Sequence, residues 1–507
     1  MLKGDAGEPT DEQTQSAVDD YMQAHPEAAI DETIINSAVA DWLDDHPEAT
    51  TTVQDNSLTT AKYQDESITE AKLSNALKLK TINCYVTPEE YGAVGDGYAD
   101  DTAAIQAAVD AAYAQGGGIV QFGDKSYKCE GLVPKNNVTL RGTARTVLAL
   151  SQTPVNHLIY YYSDTVLKNF NIESIRFDGR GQTSYDIIHI EKITDEVVYI
   201  WDESYIDKCW LLQAKTGVYC TVPGNVKIAN CIIQSNDVGL EQTYEHFHIV
   251  NTTFWGNRIG ASIHKANHFT WVNAVFAHNT EYGVYTDEAS FESCLTSCSF
   301  IDNVVHFRGP VHAYRFIGCR FINATKGIYL TGSATVFNNL ITECYFSVLS
   351  DVAVSIENDT SYLNVIESCL FVANNKDIAI NGYDESIIGN KFSTTAQCAI
   401  DVTGSQASGL QITNNSIFNV SNDGLNLYPA IRITAPYLSA VMISNNLIRN
   451  DGSGKASYAI NMDMTPTGLF DILISNNVAR NMKTSGYRLR DSANITKDNN
   501  IGTVVTF

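Results

Sequence analysis

Charge is scarce in this chain. Only 18% of its 507 residues are Asp, Glu, Lys or Arg, and 33 basic residues face 58 acidic ones. The net charge of −25 repels phosphate backbones, which excludes nucleic acid as a partner, and it repels anionic membranes too. No run of about 18 apolar residues occurs, so no membrane-spanning helix is expected. The opening MLKGDAGEPT has no apolar stretch, so no signal peptide is expected either. Such a protein reaches the outside of a cell by lysis, through a dedicated machine, or within a larger assembly. The 11 cysteines include no CxxC pair. The one close pair, Cys294 and Cys298, has no neighbouring His in a zinc-like array, and an odd count argues against a complete disulfide framework. No metal site and no cofactor are expected. With charge so sparse, Asn, Ser, Thr and Gly must cover the surface, while 44% hydrophobic residues leave ample material for a core.

What is present is a repeat. From about residue 205 a pattern returns every 21 to 31 residues, as in VKIANCII, FHIVNTTF, YRFIGCRF, LNVIESCLF, LQITNNSI and VMISNNLI. Aligned, one small position reads Cys209, Cys231, Thr252, Ala274, Cys298, Cys319, Cys344, Cys369, Asn390, Asn415, Asn446 and Asn477. Two residues later stand Leu211, Ile233, Phe254, Phe276, Phe300, Phe321, Phe346, Phe371, Phe392, Ile417, Ile448 and Ala479. The residue before the small one is often Asn or Gly, as at Asn230, Asn251, Gly318, Gly389 and Asn414. Those types tolerate positive φ, so the column marks a turn. The small and Phe columns, two apart, are one buried face of a strand. This period fits one coil of a parallel β-helix, with coils stacked roughly 4.8 Å apart. Six cysteines then occupy one inward column as small packed hydrophobes rather than metal ligands or disulfides.

A second strand follows in each coil, as in TGVYCT, VGLEQT, GASIHK, YGVYTDE, VVHFRG and KGIYLT. Val218, Leu240, Ala261, Val284, Val305, Ile328, Val354, Ile400 and Leu425 are expected to point inward. Tyr219, Glu241, Ser262, Tyr285, His306, Tyr329 and Ser355 form one outward column. Thr221, Thr243, His264, Asp287, Arg308, Thr331 and Glu357 form the next.

Residues 81–142 carry Tyr91-Gly92-Ala93, Gly95-Asp96-Gly97, Asp100-Asp101-Thr102, Ile105-Gln106, Gly116-Gly117-Gly118 and Val138-Thr139-Leu140-Arg141-Gly142. This segment resembles the start of the pectate-lyase-like superfamily of right-handed single-stranded parallel β-helices. The resemblance implies an all-β fold whose open end is capped by a helix. Asp100 or Asp101 can N-cap that helix from about Thr102 to Ala114, and the three glycines end it. The β-helix itself is then expected over 143–507. Two departures matter: the chain has no GHG or NTD motif of the polygalacturonase type, and no clear Asp cluster with a following basic residue of the pectate-lyase calcium type. Pectin is therefore not supported as substrate.

Ahead of the cap, residues 1–9 read as the end of a collagen-like stretch, Gly4-Asp5-Ala6-Gly7-Glu8-Pro9. Residues 10–50 hold two related short-helix segments, AVDDYMQAHPEAA and AVADWLDDHPEAT, and residues 51–80 hold the tandem QDNSLTTAKY and QDESITEAKL, read as an extended stalk. The whole layout resembles bacteriophage or prophage tailspike and tail-fibre proteins. That resemblance implies a homotrimer on a virion tail, released by lysis, with an upstream tail or baseplate component bound through the N-terminus.

Chemistry is expected on the outward face of the second strand. Carboxylates beside flat aromatic rings suit a sugar: rings stack on its apolar faces, and carboxylates bond hydroxyls or move protons. Glu241 and Asp287 lie two coils apart, with backbones about 10 Å apart, so their carboxyls can approach the spacing of an inverting hydrolase. His264 lies between them. Tyr219, Tyr285, His306, Arg308, Tyr329 and Glu357 are expected to contact the sugar, and Trp201 to overhang it from the loop 191–208 with Asp202 and Glu203. The expected function is binding and hydrolysis of a bacterial surface polysaccharide. The alternatives are an adhesin that binds without cleaving, and a polysaccharide lyase.

Overall fold

This computed structural model describes residues 85–506 apart from 144, 195–199, 244–245, 288–289, 423–426, 452–455, 463–467 and 490–493. The expectations for residues 1–80 and for Leu425 lie outside the described residues.

Alternating inward and outward residues wind the chain into a parallel β-helix. One coil shows the plan. Strand Gly224–Ala229 leads through Asn230 and Cys231 into Ile232–Gln234, which turns at Ser235 and Asn236 into Val238–Thr243. Each strand pairs in parallel with its counterpart one coil on, as Phe254 does with Phe276 and Leu240 with Ala261. The second and third ladders merge into one 29-stranded sheet, because Arg320–Leu330 and Tyr345–Tyr362 run straight through the corner between them. A second sheet has 18 strands, and two small ones have two and three. At the start, the helix Thr102–Ala114 buries Ile105, Ala108, Val109 and Ala112. Asp100 accepts its first N–H at Thr102 (3.0 Å), while the Asp101 carboxylate instead ties down Val94 and Gly95.

The turn column behaves as its residue types require. Asn230, Asn251, Asn273, Ser297, Glu343, Ser368, Asn414, Asn445 and Asn476 have φ between 49° and 58°. The Phe rings from Phe254 to Phe392 stack face to face at 4.8–4.9 Å, fully buried. Cys319, Cys344 and Cys369 are buried and free, and the ten described cysteines form no disulfide. Asn390, Asn415, Asn446, Asn477 and Asn500 join side chain to side chain in a ladder.

A second amide ladder was not legible in the repeat. Asn236, Asn257, Asn279 and Asn303 fill the next corner, the carboxamide oxygens of the last three each accepting from the previous Asn's side chain and backbone N–H, and that of Asn236 from the Ala214 N–H. Removing one rung leaves the N–H before it buried without a partner. Asn279→Ala is expected to cost about 2–3 kcal/mol, read as a lower urea midpoint at unchanged slope.

Candidate functional site on the outward sheet face

The ladder carrying the candidate residues runs outward through His189, Tyr219, Glu241, Ser262, Tyr285, Arg308, Tyr329 and Ser355. Opposite faces alternate along each strand, so Val218, Leu240, Ala261 and Val284 go inward beside it. One small column lets the coils approach here. A Cβ at Gly239 would stand 2.4 Å from the Gly260 carbonyl oxygen.

Glu241, His264 and Asp287 come together. His264 Nδ1 is 2.8 Å from Asp287 Oδ1, and its Nε2 is 3.8 Å from Glu241 Oε1 and 3.1 Å from Ser262 Oγ. Each side chain keeps between 26% and 39% of its surface in solvent, so a ligand can reach all three. Burial raises the Glu241 carboxyl above its ordinary range, and the opposing pull of His264 does not cancel it. A carboxyl that holds its proton more tightly than usual therefore stands one imidazole away from a second carboxyl group. Beside them, Tyr219 is pushed up to about 12 by burial and by Glu191 and Glu241, so its hydroxyl stays protonated.

Further along, Arg308 lies 5.5–5.8 Å from the ring centroids of Tyr282, Tyr285 and Tyr329. Lys326 sits 3.7 Å from the Tyr329 ring. Glu357 accepts from the Tyr329 hydroxyl at 2.8 Å and pairs with Lys326 at 3.1 Å. Burial works against the Glu357 charge, but Tyr329, Ser355 and Lys326 outweigh it and hold the carboxyl below its ordinary range. The face thus offers aromatic rings, two cations and carboxylates on consecutive coils.

Two expected contacts are corrected. His306 does not face solvent: it is fully buried, 6.0 Å from both the Phe300 and Phe321 rings, with Asn303 Nδ2 3.0 Å from its Nδ1. Burial pushes it down to about 3, so it stays neutral. Phe307, not Val305, occupies the inward column, which moves Arg308 into the column of Tyr285. Leu240, Ala261 and Phe307 stand four residues after Asn236, Asn257 and Asn303, and Val284 five after Asn279, and that distance from the Asn was the signal. Trp201 does not overhang a groove: it is fully buried, edge-on to Phe247 at 6.1 Å, at the start of strand Trp201–Asp207.

Residues 86–304 match the family described as rhamnogalacturonase A/epimerase, pectate lyase-like. This segment is pectate lyase-like. It contains Tyr219, Glu241, His264, Tyr285 and Asp287 and stops short of Arg308, Tyr329 and Glu357. The chain is 37% identical over 110 residues to the mannuronan C5-epimerase AlgE5 of Azotobacter vinelandii, which is 19% of this chain and 11% of that protein. It is 31% identical over 109 residues to a capsule-specific depolymerase of Klebsiella phage K5-2, or 20% of this chain and 14% of that one. Both matches thus span a small part of those relatives' length. Among solved structures, the tailspike gp49 of Acinetobacter baumannii bacteriophage Fri1, a capsular polysaccharide depolymerase, aligns at 14% identity and a TM-score of 0.39. That alignment covers 71% of this chain and 63% of the tailspike.

The pectate lyase-like segment holds one more cluster, which the repeat reading missed because it began one coil too late. His189 precedes Tyr219 in the ladder, and the two rings stack at 4.3 Å. Its Nδ1 donates to Asp186 Oδ2 at 2.7 Å, and its Nε2 lies 3.2 Å from Glu191. His157 stacks on His189 at 3.9 Å, with Nδ1 3.1 Å from the same Asp186 oxygen. Burial opposes the charge on Asp186, yet the histidines beside it hold the carboxyl well below its ordinary range. The alternation Ile188-His189-Ile190-Glu191 was the available signal.

Proposed function

We propose that this chain binds a bacterial surface polysaccharide along the outward ladder and cleaves it by glycoside hydrolysis. The observation that carries this reading is the Glu241–His264–Asp287 contact, with Glu241 raised by burial. In it, Glu241 protonates the leaving oxygen and Asp287 activates water. His264 holds Asp287 in place, and Tyr219, Tyr285, Arg308, Tyr329 and Glu357 seat the polymer. The similarity to a phage capsule depolymerase supports a tailspike-like setting, in which the chain works as a homotrimer attached through its N-terminus to a tail or baseplate component.

The similarity to mannuronan C5-epimerases favours a second reading, in which the same face abstracts a proton from a uronic acid, as a lyase or epimerase does. One assay separates them. The protein is incubated with a panel of capsular polysaccharides, lipopolysaccharides and polyuronates. New reducing ends without ultraviolet absorbance mean hydrolysis; reducing ends with the absorbance of an unsaturated sugar mean elimination; neither signal, but an inverted uronate in the proton NMR spectrum of the intact polymer, means epimerisation. Binding on the panel with no change in the polymer would leave an adhesin and overturn both readings.

A further inference from the structure

We propose that His157, Asp186 and His189 bind one divalent transition-metal ion of the zinc class per chain. Their three ligand atoms already lie within 4.8 Å of one another. Ligands about 2.1 Å from one ion stand no more than about 4.2 Å apart, so closure needs only small ring rotations. Those rotations must widen the 28° between the two stacked imidazole planes, so that both lone pairs aim at one point.

Three features make this a built site rather than a chance meeting of polar groups. The Asp186 side chain is wholly buried, and its Oδ1 has no hydrogen-bond partner, so a carboxylate oxygen stands ready at a cost the fold already bears. The second is the outer carboxylate. When an ion takes His189 Nδ1, the proton there moves to Nε2, where Glu191 Oε2 lies 3.2 Å away to accept it. A carboxylate behind a ligating imidazole fixes its tautomer and orientation. Third, His189 is clamped between the His157 and Tyr219 rings, so its orientation is set in advance.

The donor set selects the ion. Two imidazole nitrogens and one carboxylate suit zinc, cobalt or nickel, whereas calcium and magnesium prefer oxygen. Three protein ligands leave a fourth position for water or a sugar oxygen. That position lies two coils before Glu241 on the same ladder, where a bound polymer would pass. One bond is lost in exchange: the Asp186 N–H now points at His157 Nδ1, 3.0 Å away. The expected affinity is therefore moderate, a Kd of about 10 μM or tighter.

The test is calorimetric titration of the full chain, freed of metal by a chelator, with zinc chloride, and with cobalt chloride to read the ligand-field spectrum. One ion per chain is expected, with a four-coordinate cobalt band. Zinc should raise the melting temperature of the wild type. His157→Ala, on the most exposed of the three ligands, should weaken binding at least 30-fold, which is a loss of about 2 kcal/mol. Glu191→Ala should weaken it about tenfold. Absence of saturable binding up to about 1 mM, or binding that His157→Ala and Glu191→Ala both leave unchanged, overturns the proposal. His189→Ala is a further check, and His157→Ala decides should that variant fail to fold.

Discussion

Glu241→Gln is expected to lower turnover on the cleaved glycan about 10³-fold, while glycan affinity and the melting temperature hold. The amide keeps the shape and still hydrogen-bonds, but it has no acidic proton to give the leaving oxygen. Asp287→Asn is expected to match that loss by a different route. It removes the base and leaves a neutral amide where a carboxyl group stood 2.8 Å from His264 Nδ1. The pH profile tells the two groups apart. The alkaline limb belongs to the acid, and burial of Glu241 places it above the ordinary carboxyl range. Stopped assays across pH on both variants, with binding measured separately, check this. Full activity in both would remove the assignment and leave His189 and Glu191 as the next groups to test.

The folded chain is expected to lose stability as pH rises through neutrality, chiefly through Glu385. This carboxyl is buried in the amide ladder, accepting from Asn364 Nδ2 and Ser361 Oγ at 3.0 Å each and from the Asn364 N–H at 3.2 Å. Burial pushes it up to about 8, against an ordinary 4.5. The folded state therefore holds a proton that the unfolded state has released. Stability from Glu385 is whole below about pH 4.5, falls through the interval, and levels off above about pH 8. At about 1.4 kcal/mol per unit the full loss is on the order of 5 kcal/mol. Asp377, pushed up to about 7 by burial, adds to it in the same direction. Glu385→Gln keeps the acceptor without the charge, so it should flatten the fall and melt higher than wild type at about pH 8. A wild-type melting temperature that is level between about pH 5 and pH 8 would refute this.

Glu385 also shows where sequence reading ends. Phe254 to Phe392 were legible because each stands two residues from a small partner in a recurring coil, and period 2 puts both on one face. Glu241, His264 and Asp287 were legible for the same reason, since spacing alone placed them on neighbouring coils. Nothing in the spacing says that a carboxylate can replace an amide in a ladder, because the donors that permit it belong to the coil before. His306 was misplaced because Val305 and Phe307 are both apolar and two apart, so period 2 alone admits either in the inward column, and only the Asn303 rung decides between them. Trp201 was misplaced because a long, acid-rich interval reads as a loop, while its end is a core strand.

The coil architecture has a consequence for how this protein is made. Coil-to-coil partners lie only 17 to 34 residues apart, from Tyr487–Val504 to Phe177–Leu211. That is about a twentieth of the chain, a separation more usual in helical bundles than in large sheets. Contacts this local can close while the remainder is still being synthesised, each finished coil templating the next as it leaves the ribosome. The helix Thr102–Ala114 is made before the coils from Gly118 onward and packs on the strands Tyr85–Val86 and Gly118–Gln121 at the start of the solenoid. At every moment, then, the growing solenoid exposes one pairing edge, and the residues that will occupy it are the next to be translated.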